Sequence, residues 1–85
     1  MSKKEKLKKK FLEAPKDFTY DELVALLRAL GFEEQKPGHS TGSAVLFLHR
    51  KKNVPIRFHK PHPGNIIKGY LMKQVKDVLE REGIL

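Results

Sequence analysis

Three strand-forming runs lie between two helical patterns, joined by connections too short for anything but antiparallel neighbours. The runs are Phe32–Lys36, Ala44–His49 and Val54–Phe58; seven residues, 37–43, join the first pair and four, 50–53, join the second. A parallel pair would need a crossover of roughly a dozen residues or more. The chain therefore reads as helix, antiparallel meander, helix. Each helix has one apolar stripe to bury, and both stripes need the same face of the sheet.

The first of these helices is marked at both ends. Thr19 and Glu22 form a Thr-x-x-Glu capping box, with Phe18 and Leu23 at the positions of a hydrophobic staple. Leu23, Leu26, Leu27 and Leu30 then recur at helical spacing, and Gly31 supplies a left-handed stop. In the third strand, Val54, Ile56 and Phe58 share one face while Pro55, Arg57 and His59 share the other. Pro55 has no N–H to donate, which assigns that strand to a sheet edge. His62-Pro63-Gly64-Asn65 fits a type II turn, with Pro and Gly at its central positions. The last helix carries Leu71, Val75, Val78 and Leu79 on its apolar stripe. Gly inside a first turn costs about 1 kcal/mol relative to Ala, so this helix is expected to start near Gly69 or Tyr70.

These elements predict an α+β domain of the double-stranded-RNA-binding-domain type over residues 18–85, α-β-β-β-α with a three-stranded antiparallel sheet. Residues 1–17 form a basic N-terminal arm. Leu7 and Phe11, four apart, would let a short helix dock there. The plainer expectation is a frayed, solvated arm, and one that grips phosphates is the sharper alternative.

Charge directs attention to a polyanionic partner. Net charge is +8 over 85 residues, yet from Gln35 to Lys76 there is no Asp or Glu, only nine Lys or Arg and all four histidines. With no carboxylate close by in sequence, these cations are expected to stay unpaired and to present a positive field, which favours RNA or DNA. There is no cysteine, which excludes disulfides and thiolate metal sites. No apolar run approaches the roughly 18 residues of a membrane span, and no signal-peptide core follows the basic start. A cytoplasmic protein without a cofactor is the expectation.

The succession Leu30-Gly31-Phe32, Gly42-Ser43 and His59-Lys60-Pro61-His62-Pro63-Gly64-Asn65, closed by a basic helix and Glu82-Gly83-Ile84, resembles the HicA (YcfA-like) toxins over residues 18–85. The resemblance implies a small mRNA interferase that cuts RNA without a metal and is neutralised by a HicB antitoxin. It also implies a catalytic histidine in a Gly-Ser-His motif, and here the sequence reads Gly42-Ser43-Ala44. Alanine cannot transfer a proton. Either the histidine has moved, or the chain only binds, or the toxin has been disarmed.

RNA carries its own nucleophile in the 2′-hydroxyl, so cleavage needs a base for that proton, an acid for the leaving oxygen and cations around the phosphorus. His39, in the loop before Ala44, is one candidate for a displaced base. His59 and His62, flanking the Pro-rich turn, are the others; His49, at the hairpin end of its strand, reads as structural or exposed. Arg57, Lys60 and Lys68 are the expected phosphate contacts, joined by Gly42 and Ser43 from the matching motif. His59, His62 and His39 lack a cysteine or carboxylate to complete a zinc site, so no metal is expected. Two further readings stay open: an inactive RNA-binding module of the same fold, and a protein-interaction domain with a basic face.

Overall fold

The computed structural model describes residues 3–13, 15–35, 44–61 and 64–85. The elements are α1 (Lys3–Leu12), α2 (Tyr20–Ala29), β1 (Phe32–Gln35), β2 (Ala44–His49), β3 (Pro55–His59) and α3 (Gly69–Arg81). The strands form one sheet in the order β1-β2-β3, both pairs antiparallel. This is the expected α+β meander of the double-stranded-RNA-binding-domain type, with β3 at an edge. Its side chains alternate as expected, Ile56 and Phe58 buried, Pro55, Arg57 and His59 exposed. α2 packs beside β1 and α3 beside β3, so both helices cover one face.

Local chemistry starts α2 where the sequence indicates. The Glu22 amide donates to Thr19 Oγ1 at 3.1 Å, and the Thr19 amide donates to Glu22 Oε1 at 3.0 Å. Two of the otherwise orphaned N–H groups at the helix start are thereby satisfied. Glu22 also reaches outward, where its Oε2 accepts a hydrogen bond from Lys10 Nζ at 2.7 Å and so ties α1 to α2. Phe11 is 1% exposed and meets Phe18 edge-on, with ring centroids 5.5 Å apart. Burying such a ring contributes about 1.5–3 kcal/mol, which is why the N-terminal segment is a docked helix and not a solvated arm.

The other end of α2 is organised by His49. Gly31 has φ 101°, the left-handed conformation that glycine tolerates best. A Cβ at Gly31 would also lie 3.0 Å from His49 Nε2. The His49 ring is nearly buried and stands edge-on to Phe32. Its Nδ1 accepts from the Lys51 and Lys52 amides at 3.2 and 3.1 Å, so the ring proton sits on Nε2, which donates to the Leu30 carbonyl at 3.0 Å. One imidazole thus shapes the β2–β3 hairpin and fastens it to the end of α2. Asn53, at φ 54°, completes that turn.

Candidate nucleic-acid interface

The opposite end of the sheet gathers the chemistry. β3 pairs with β2 so that Ala44 faces His59 and Leu46 faces Arg57. Side chains of directly opposed residues are neighbours, with Cβ atoms about 4.5–5.5 Å apart. His59 therefore occupies the outer sheet face immediately beside position 44. Arg57 lies two residues back on the same face.

After β3 the chain turns and returns along the start of α2. The Tyr20 amide donates to the Asn65 carbonyl and the Ile67 amide to the Phe18 carbonyl, both at 2.8 Å, bracketing a bridge between Thr19 and Ile66. Gly64 has φ 96°, the left-handed conformation that glycine tolerates best, while His62 and Pro63 of the expected type II turn lie outside the described residues. Ile67 is 2% exposed and anchors the segment in the core. Pinned in this way, Lys68 and Tyr70 at the start of α3 come to stand beside the end of β3.

Between them lies a cavity of about 200 Å³. His59, Lys60, Pro61, Lys68 and Tyr70 form its walls, over Ile67 and Leu71. It is smaller than the roughly 300–1,000 Å³ of sites that enclose a small molecule. Its lining offers two ammonium groups, an imidazole and an exposed aromatic ring. Lys60 is steadied by Tyr20, its Nζ lying 5.6 Å from that ring's centroid. Tyr20 in turn meets Phe58 edge-on, and burial, aided by the Glu34 carboxylate, pushes its phenol upward, so the ring beneath Lys60 stays neutral. A neutral aromatic face attracts a cation by its quadrupole.

Several cations away from the cavity have partners. Arg50 pairs with Glu33 at 3.2 Å, Arg28 with Glu34 at 3.7 Å, and Lys52 donates to the Glu82 carbonyl at 2.6 Å. The expectation that every cation of the acid-free stretch stays unpaired thus fails for Arg50. Antiparallel pairing of β1 with β2 brings Glu33 across from Leu48, within reach of Arg50. Around the cavity the expectation holds. Among the described residues, Arg57, Lys60 and Lys68 have no carboxylate partner.

Of the sequence-predicted site residues, His59, Lys60 and Lys68 come together and Arg57 adjoins them. His39, Gly42, Ser43 and His62 lie outside the described residues. His49 is remote, at the far end of β2, roughly 16 Å away along the strand. A larger depression of about 640 Å³ touches it, but both ring nitrogens are already hydrogen-bonded. Sequence reasoning missed Tyr20 as the support for Lys60, because the Thr19–Ile66 bridge that brings them together carries no sequence signature. Among the described residues no group of side chains has the make-up of a metal site, and no helix is long and apolar enough to cross a membrane.

Fold and site together define a small α+β domain with a cationic, histidine-bearing edge. The family model for the HicA toxin of bacterial toxin–antitoxin systems matches residues 20–83, and the chain belongs to that family. It is thus a toxin of the toxin–antitoxin type, whose partner is an antitoxin. α1 precedes the matched residues. Searches of curated proteins and of solved structures give no significant match.

Proposed function

We propose that this chain is an mRNA interferase, a metal-independent endoribonuclease toxin acting in the cytoplasm and held in check by a HicB-like antitoxin. The observation that carries the reading is the pairing of Ala44 with His59. By the family resemblance, position 44 is where the catalytic histidine belongs. An imidazole on the directly opposed residue, on the same sheet face, can reach much of the same space. In this reading His59 takes the 2′-hydroxyl proton as the 2′ oxygen attacks phosphorus. The bond from phosphorus to the 5′ oxygen breaks, and an acid supplies that oxygen with a proton. His39 and His62 are the candidates for the acid, and Gly42 and Ser43 for further RNA contacts. Lys60 and Lys68, with Arg57, stabilise the charge that develops on the phosphoryl oxygens. An acidic antitoxin surface complements the same cationic edge.

The test is cleavage of a purified mRNA with chelator present. The wild type should give discrete cut products, and His59→Ala should lower the rate by roughly 10²–10⁴-fold, the usual share of a general base. Undiminished cutting by His59→Ala would remove His59 from the chemistry. Ala44 itself favours a second reading, an RNA-binding module that no longer cuts. That reading predicts salt-sensitive binding without products, and cleavage gained by Ala44→His. A protein that ignores RNA in dilute buffer would leave only the protein-interaction reading.

A further inference from the structure

We infer that the cavity beside α3 is a subsite for one unpaired nucleotide, whose base stacks on Tyr70 while its phosphate is held by Lys60 and Lys68. This rests on the reading that RNA is the ligand and adds which form of RNA and which residue selects it. Tyr70 is 71% exposed, whereas the chain's other tyrosine, Tyr20, is half-buried and packed edge-on against Phe58. Leu12 and Ile66 are also exposed large apolar side chains, but only Tyr70 lines the cavity with the two ammonium groups. An aromatic ring open to solvent in a cavity that two lysines also line offers partners for both parts of an unpaired nucleotide, its π face and its phosphate. A duplex would leave the ring unused, because its bases already stack on one another and its backbone is read by shape. Lys60 is pre-positioned for this by Tyr20, and Lys68 by its place at the start of α3. Pro61 supplies an apolar wall. The domain has the outline of a double-strand binder, yet this corner is built for a base out of its helix.

The deciding experiment is fluorescence anisotropy with a labelled single-stranded RNA oligonucleotide and, separately, a blunt RNA duplex. Tyr70→Ala should weaken single-strand binding by roughly tenfold or more, the usual worth of one stacked base. Tyr70→Phe should retain most of the affinity, since the ring and not the hydroxyl makes the contact. Duplex affinity should be unchanged, and so should the unfolding midpoint. Equal loss on both RNAs, or wild-type affinity in Tyr70→Ala, overturns the stacking subsite while leaving RNA as the ligand. Failure of the wild type to bind either RNA overturns both. A Tyr70→Ala variant that loses only its antitoxin would mark the ring as a protein anchor and likewise end the proposal.

Discussion

Replacing His49 with phenylalanine tests whether that histidine is architecture or chemistry. Phenylalanine keeps a ring against Phe32 but makes none of the three hydrogen bonds to Leu30, Lys51 and Lys52. Each such bond contributes about 0.5–1.5 kcal/mol net. Lys51 and Lys52 are exposed, so water can recover part of what their amides lose, whereas the Leu30 carbonyl is less accessible. The expected cost is therefore about 2 kcal/mol, toward the lower part of the sum. For a domain of this size that lowers the thermal midpoint by roughly 10 °C. Circular-dichroism melts would measure it, beside RNA cleavage at a temperature where both proteins remain folded. A midpoint near wild type together with lost cleavage would refute the argument and return His49 to the functional site. Gly31→Ala adds a check, because the new Cβ would meet His49 Nε2 at 3.0 Å. Its cost should fall in a His49→Ala background by on the order of 1 kcal/mol, as expected for residues in contact. The strain of φ 101° remains in both backgrounds.

Two further outcomes follow from the helix starts. The Glu22 carboxylate is held below its ordinary value of 4.5, chiefly by the hydrogen bond from Lys10 and then by those from Thr19, against an opposing push from burial. A lowered folded value means the ionised form is favoured in the native state, so this stabilisation is present above about pH 4.5 and is lost as pH falls through the lower folded value. Glu22→Gln should thus be less stable than wild type at neutral pH and lose less on acidification; parallel curves in urea melts across that range would contradict it. At Gly69 a Cβ would meet nothing within 4 Å, and its φ is not positive. Gly69→Ala should therefore stabilise the domain by about 0.5–1 kcal/mol, read as a raised urea midpoint.

Much of the candidate site can be counted along the sequence. A four-residue connection between His49 and Val54 sets the β2–β3 register, and counting outward pairs residue 44 with residue 59. The alternation that turns Arg57 and His59 outward is likewise a local property of a half-covered strand. The approach of Lys68 and Tyr70 to that strand cannot be counted. It depends on Ile67 entering the core and on the bridge between Thr19 and Ile66, contacts between segments more than forty residues apart. His49 is also ambiguous, because a histidine at a hairpin looks the same in sequence whether its ring faces water or organises the turn.

By itself the amino-acid order determined α2, the three strands, α3 and their antiparallel succession, since caps, periodicity and short connections act between near neighbours; the docking of α1 was settled only by packing. Which cations find carboxylates was left to the tertiary structure. Arg50 meets Glu33 through strand pairing, while Lys60 and Lys68 converge on a cavity whose described lining holds no carboxylate. The physical reason is range: helix caps and strand alternation are settled within a few residues, but an ion pair or a cavity needs distant segments brought to one place, and packing alone does that.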